Sequence, residues 1–382
     1  MSKSNRTVLG LFAGIGGLEL GLKKSGFKPQ MLCELELGAQ AVLKDKFTET
    51  PLVDDVRNLK AIPKGTTVIT AGFPCQDLSS SGQKEGINGK QSFLVDEVFR
   101  LLNTSNEVEW VLLENVKFML HLNKGSAMHY ITSKLTSLGF NWAYRVVNSQ
   151  AFGIPQRRHR VYILASKKHD PRNVLLADEY GVNPNNYSSE DDVPHGFYWT
   201  EGRHSTGLNI NGIPPLKAGS TIGIPSPPAI LFPSGFAGTP DIKDAERLQG
   251  FPEDWTKASE TVLKPSHRWK LVGNSVSVPV AEWIGRRLIS PLEYCFNNDA
   301  VHNKSDRWPM SAWCMGGEIY KSSVSEWPLK STFVGLDRFL IHPLKPLSIR
   351  ATTGYIKRAE QGNLKHPAGF IDNLKKHMIN MS

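Results

Sequence analysis

Between residues 6 and 165, short apolar runs alternate with helical stretches, and this alternation leaves few folds open. RTVLGLF, PQMLCELE, TTVITAGF, EWVLLENV and VYIL each have the length and apolar content of a strand. LELGLKKSGF, GAQAVLKDKF, SFLVDEVFRLLNTS and MHYITSKLTSLGF have helical spacing. In the first of these Leu18, Leu22 and Phe27 share a face and Gly26 stands near the end. Strands separated by helices join by parallel crossovers, so the expected fold is an open α/β sheet. Such sheets carry their sites beyond the carboxyl ends of their strands.

Two loops fall at such ends. LFAGIGGLELGL places Gly14, Gly16 and Gly17 between a strand and a helix, where glycine permits positive φ and close approach of backbone to a ligand. The second strand ends in Glu34, whose carboxylate can accept two ribose hydroxyls. Asp55 follows the next helix, where it can meet an adenine amino group. Together they describe an adenosine-containing ligand. The glycines follow G-x-G-G rather than G-x-G-x-x-G, so the loop alone does not choose between cofactors, and a turn serving only packing stays open. The second loop, TAGFPCQDLSSSGQ, puts Cys75 just beyond the strand TTVIT, behind a stiffening Pro74. DLSSSGQKEGINGK, small and polar, suits a lid that closes over a substrate. Taken alone, Cys75 reads as an ordinary inert buried thiol.

The composition narrows the class. With 40% hydrophobic and 21% charged residues the chain is globular. No run of 18 apolar residues suggests a membrane span, and the N-terminus lacks the pattern of a signal peptide, so a cytoplasmic protein is expected. Cys33, Cys75, Cys295 and Cys314 form no C-x-x-C pair and no zinc-finger spacing, so neither disulfide nor metal is expected. The formal charge of +9 favours a polyanionic partner, weakly by itself.

FAGIGG, GFPCQ, ENV, QRRHR and GNSV occur here in the order shown by the cytosine-5 DNA methyltransferases, and the chain resembles that family over about residues 8–165 and 245–290. The resemblance implies a Rossmann-like, mostly parallel S-adenosylmethionine-dependent methyltransferase sheet. It implies S-adenosylmethionine as methyl donor, no metal, and double-stranded DNA as partner. Cys75 becomes the nucleophile: its thiolate adds to carbon 6 of cytosine and pushes electron density onto carbon 5. Glu114 of ENV becomes the carboxyl that protonates N3, with a pKa raised beside a desolvated base. Arg158 and Arg160 become catalytic arginines able to hold the cytosine O2 and a phosphate.

By the same resemblance Phe12, Gly14, Gly16, Gly17, Glu34, Asp55, Val56, Pro74, Asn274 and Ser275 bind the cofactor. Gln76, Ser79, Asn115 and Gln156 face the DNA. Since a duplex hides carbon 6, the cytosine must be flipped out. The chain departs from the family after the lid glycine, where Lys90 stands in a stretch that often holds arginine; lysine lacks the bidentate fork.

The expected division is a catalytic and cofactor-binding domain over 1–165, a loop-rich target-recognition domain over 166–265, a late helix in GNSVSVPVAEWIGRRL over 266–290 completing the catalytic domain, and an extension over 291–382. Arg172, Arg203, His204 and Lys217 are candidate DNA contacts of the second. In the extension Ser348 to Glu360 reads as a capped helix and Phe370, Leu374 and Met378 as one face of another. This tail is expected to cap the catalytic domain through Trp308, Trp313 and Trp327; contact with DNA phosphates is the alternative. The whole is expected to be a monomeric modification enzyme with a restriction endonuclease as genetic partner. The rival functions are tRNA cytosine-5 methylation and a catalytically silent DNA-binding module.

Overall fold

The computed structural model describes residues 6–74, 94–181, 187–188, 192–201, 205, 207–219, 227–303, 305–362 and 366–381. The chain folds into two compact units. One comprises Met1–Ala151, His159–Val182 and Val276–Lys330; the other comprises Phe152–Arg158, Asn183–Ser275 and Ser331–Ser382.

The first unit is built on one mixed sheet. Its strands are β1 (Thr7–Leu11), β2 (Lys28–Cys33), β3 (Leu52–Val53), β4 (Val68–Ala71), β5 (Trp110–Val116), β6 (Asn141–Asn148) and β7 (His159–Ser166). The second unit contributes β8 (His195–Phe197), β9 (Asn209–Ile210), β10 (Ala229–Leu231) and β11 (Ala237–Thr239) to its own sheet. The chain then returns to the first with β12 (Ala300–Val301), β13 (Ser311–Met315) and β14 (Glu318–Lys321). The order across the first sheet is β12-β14-β13-β6-β7-β5-β4-β1-β2-β3. β3, β2, β1, β4 and β5 pair in parallel. β7 reverses against β5, and the remaining pairs alternate, so only β7, β13 and β12 run against the rest.

Helices cover the parallel strands, which is why β1 and β5 read as unbroken apolar runs rather than alternating ones. Leu9, Ile69, Val111, Leu113, Trp142, Val161, Ile163 and Trp308 lie in one core. Helices Gly17–Lys24 and Val278–Ile289 pack together closely. A Cβ on Gly21 would meet the Ala281 Cβ at 2.5 Å, the Val278 carbonyl oxygen at 2.7 Å and the Glu282 amide at 2.7 Å. The late helix is broken where one run is expected. Helix Arg268–Asn274 ends, Ser275 and Ser277 are extended, and a new helix opens at Val278. Pro279 cannot donate the bond a continuous helix needs but is tolerated in a first turn.

The second unit's sheet is antiparallel, in the order β15-β11-β10-β8-β9, where β15 is Lys345–Pro346. Helices Ile349–Gln361 and Phe370–Asn380 pack on it through Tyr355, Phe370 and Leu374, which meet Phe197 and Leu231. The Ser348 hydroxyl caps the first by accepting the Ala351 amide at 3.3 Å.

The tail beyond residue 290 is therefore not one segment. Residues 291–330 add three strands to the large sheet and bury Trp308, Trp313 and Trp327 in the first unit. Residues 331–382 belong to the second unit.

Candidate active site

One edge of the large sheet gathers the carboxyl ends of β1, β2, β4 and β5 with the beginning of β7, because β7 runs the other way.

At the end of β1 the backbone turns through left-handed residues: Phe12 at φ 52°, Gly14 at 56° and Gly16 at 81°. The glycines do different work. A Cβ on Gly14 would meet nothing within 4 Å, so this part of the loop lies open. A Cβ on Gly16 would strike the Phe47 ring at 2.5 Å, so that glycine is needed for packing. Gly17 opens helix Gly17–Lys24.

Glu34, just past β2, ties the loop down. Its carboxylate accepts the Gly14 amide at 2.7 Å and the Glu36 amide at 2.9 Å. Burial pushes its pKa up, while these two bonds work the other way. Asp55 is gripped by Arg57, whose Nε lies 3.0 Å from each carboxylate oxygen, and this bonding pulls its pKa down. Val56 is buried in the core. An open glycine turn anchored to a carboxylate at the end of the neighbouring strand fits an adenosine-containing cofactor.

Beyond β4, Gly72 brings these parts together: its Cβ position is 3.6 Å from Glu114 Oε2 and 3.8 Å from the Phe12 carbonyl oxygen. Asn115, 4% exposed, donates from Nδ2 to the Phe73 carbonyl at 3.0 Å. The end of β5 thus holds the start of the loop that carries Pro74, which is exposed. Asn115 is accordingly spent on the loop's backbone rather than presented to DNA. Cys75, Gln76, Ser79, Lys90, Arg203 and His204 lie outside the described residues. Among the described cysteines, Cys33 beside Glu34 is a poor nucleophile: burial, with the Glu34 charge, pushes its thiol up to about 12. Burial also raises Cys314.

Glu114 is 7% exposed and pairs with Arg160, Nε to Oε1 at 3.1 Å. Arg160 Nη1 also donates to the His159 carbonyl at 2.9 Å. Arg158 and Gln156 are placed otherwise than expected. Arg158 is 1% exposed, and its guanidinium donates to the carbonyls of Leu216 at 3.0 Å, Gly273 at 3.2 Å and Ser275. Gln156, fully buried, donates to the Leu248 carbonyl at 2.6 Å and accepts the Leu216 amide at 2.9 Å. Both bind strands of backbone within the second unit. A run of basic letters carries no sign of which side chains are buried, so QRRHR gave no warning of this.

Asn274 is exposed and Ser275 is 7% exposed, with its hydroxyl donating to the Val272 carbonyl at 2.8 Å; both belong to the second unit. Arg172 is held bidentately by Asp170 and stacked over Trp313 and Phe296 in the first unit. That leaves it packing rather than reading bases. Lys217 pairs with Glu201. No cluster of metal-binding side chains occurs among the described residues, and no helix there is long and apolar enough to cross a membrane.

The glycine turn, the carboxylate at β2 and the Glu114–Arg160 pair at β5 lie together at the strand-end edge where α/β sheets carry their sites. The family model of the C-5 cytosine-specific DNA methylases matches residues 6–212 and 241–290, and the chain belongs to that family. It is 44% identical to the Type II methyltransferase M2.BsuMI of Bacillus subtilis over 97% of each chain. It is 31% identical to the Type II methyltransferase M.HaeII of Haemophilus aegyptius over 74% of this chain and 92% of that one. The solved structure of S. pombe Dnmt2 methyltransferase shares the fold, at a TM-score of 0.53 and 17% identity, over 75% of this chain and 99% of that one. The family model stops at residue 290, whereas the match to the Bacillus subtilis relative leaves little of the tail out.

Proposed function

We propose that the protein transfers a methyl group from S-adenosylmethionine to carbon 5 of a cytosine flipped out of a specific duplex DNA sequence. The observation that carries this reading is the Glu114–Arg160 pair at the end of β5, set beside Gly72 and the Phe73-Pro74 backbone that leads into Cys75.

Bound S-adenosylmethionine supplies an electrophilic methyl on a sulfonium centre. Phe12, the open Gly14 turn and Glu34 hold its adenosine end, with Gly16, Gly17, Asp55, Val56 and Pro74 around it. For Asp55 to reach an adenine it must share its carboxylate with Arg57.

Cys75 attacks carbon 6 as a thiolate, forming a carbon–sulfur bond while the ring's double-bond electrons move toward carbon 5. Glu114 delivers a proton to N3, which relieves the negative charge. Arg160 holds that carboxyl in place and has further donors for the cytosine O2. Once carbon 5 is methylated, its proton leaves to a base, the double bond re-forms and Cys75 departs as thiolate. Gln76 and Ser79, which follow Cys75 in the sequence, contact the DNA. The second unit reads the target sequence. The setting is restriction and modification in the bacterial cytoplasm, with a monomeric enzyme and a restriction endonuclease as genetic partner.

The test incubates the protein with tritiated S-adenosylmethionine and either unmethylated bacterial genomic DNA or unmodified tRNA, then separates the nucleosides. The reading expects label in 5-methyl-2′-deoxycytidine. Label in tRNA alone, or in another base, overturns the substrate; no label in any DNA would favour a silent binding module.

A further inference from the structure

Residue 326 lies beyond the part shared with the family model, yet its side chain reaches the catalytic strands. Glu326 Oε1 lies 2.9 Å from His159 Nε2. His159 is the first residue of β7, its carbonyl accepts Arg160 Nη1 at 2.9 Å, and Arg160 Nε is 3.1 Å from Glu114 Oε1. A continuous series of contacts thus runs from the tail to the carboxyl assigned to N3.

The backbone that presents Glu326 is pinned on both sides. The Ser325 carbonyl accepts Arg145 Nε at 2.7 Å and the Ser325 amide donates to Glu179 at 2.9 Å. The Trp327 carbonyl accepts the Tyr180 amide at 2.9 Å, with the indole buried. Glu326's own carbonyl accepts the amide of Asn148, the residue paired with His159 across β6 and β7. Burial pushes the Glu326 carboxyl up, but the His159 hydrogen bond and the charges of His159 and Lys117 bring it below its ordinary range. A pinned carboxylate facing a half-buried imidazole has a fixed geometry to impose.

We propose that Glu326 is a positioning residue for methyl transfer: by holding the His159 ring it fixes the entry to β7, and with it the aim of Arg160 at Glu114. The inference rests on Glu114 and Arg160 acting as proposed above. It gives residues 291–330 a role in catalysis that does not require them to touch DNA or cofactor.

The test compares Glu326→Ala, Glu326→Gln, His159→Ala and the double Glu326→Ala/His159→Ala variant in single-turnover transfer of tritium from S-adenosylmethionine to unmethylated genomic DNA. Misaiming a catalytic group by a fraction of an ångström predicts a loss of about tenfold for Glu326→Ala, with cofactor affinity and melting temperature held. Glu326→Gln keeps an acceptor for His159 and recovers most of the rate. The double variant is no slower than the slower single one, because both break the same series of contacts. Wild-type rate in Glu326→Ala, additive losses in the double variant, or a loss of rate matched by lost cofactor affinity and melting temperature would overturn the inference. Glu114→Gln, run alongside, separates the two levels. If it is fully active the underlying reading fails, and if it is inactive while Glu326→Ala is unimpaired only the role of Glu326 fails.

Discussion

The Arg160 guanidinium sits 3.1 Å from the Glu114 carboxylate at the sheet edge where β5 ends and β7 begins. Val116 pairs with Arg160 across the two strands, so the ion pair is fixed by strand register rather than by loop conformation. Glu114→Gln removes the transferable proton and keeps the shape. It should lower the single-turnover rate by about 10² to 10⁴, the usual worth of a general acid, with cofactor affinity unchanged. Equal losses in rate and cofactor binding would count against the assigned role.

Arg158, two residues earlier, should behave in the opposite way. Its guanidinium serves three backbone carbonyls inside the second unit. Lysine's donors leave from one nitrogen and cannot copy this two-nitrogen fork, and each buried group left unmet costs about 1–3 kcal/mol. Arg158→Lys should therefore lower the denaturation midpoint and leave the folded fraction active. Arg160→Lys should do the reverse, losing about 10² in rate as the planar fork is lost. A thermally unaltered but inactive Arg158→Lys would restore it to the catalytic set.

These two arginines show what the sequence makes legible. The alternation of strands and helices announces the α/β sheet, and strand-end position singles out Glu34 and the glycine turn, since chemistry collects there in such folds; Glu114 is picked out only by the resemblance of ENV to the family. Burial of Gln156 and Arg158 leaves no trace in a basic run, because it depends on backbone carbonyls contributed from residues 216 to 275. β6 and β13 were equally hidden. NWAYRVVN mixes an arginine with aromatics, and Arg145 is tolerated in the core only because Ser325, Leu175, Asp178 and Glu179 satisfy it. The three strands of residues 291–330 are short, and their place depends on pairing with a strand over 150 residues earlier.

Gly21 should resist any side chain. Alanine would gain about 1 kcal/mol in helix preference. The new methyl would press on the Val278 carbonyl and the Glu282 amide at 2.7 Å. Backbone atoms cannot turn aside, and such overpacking costs about 1–3 kcal/mol. Gly21→Ala is predicted to lower the melting temperature; an unchanged or higher value would mean that the two helices can separate freely.

Glu19 supplies a pH dependence. Its carboxyl is 1% exposed over Gly10, with Oε1 accepting the Thr70 hydroxyl at 2.6 Å. Burial, aided by the Glu34 charge, raises its pKa from 4.5 to about 7. A carboxyl raised on folding contributes stability that is full below its unfolded value and is lost as pH rises through the folded one. Between those values this group alone should remove about 3 kcal/mol. Glu19→Gln stays neutral, so urea unfolding at about pH 5 and about pH 8 should show a smaller fall for the variant than for the parent protein. Identical falls would place the titration elsewhere.

The covalent step is tested most directly with duplex DNA carrying 5-fluorocytosine, in which fluorine replaces the proton that must leave carbon 5 after methylation. With S-adenosylmethionine present, the enzyme should stop as a denaturation-resistant protein–DNA adduct. Peptide mapping should place the bond on Cys75, and Cys75→Ala should form none. An adduct mapped to Cys295, or methylation of ordinary cytosine by Cys75→Ala, would contradict the assignment of Cys75 as nucleophile.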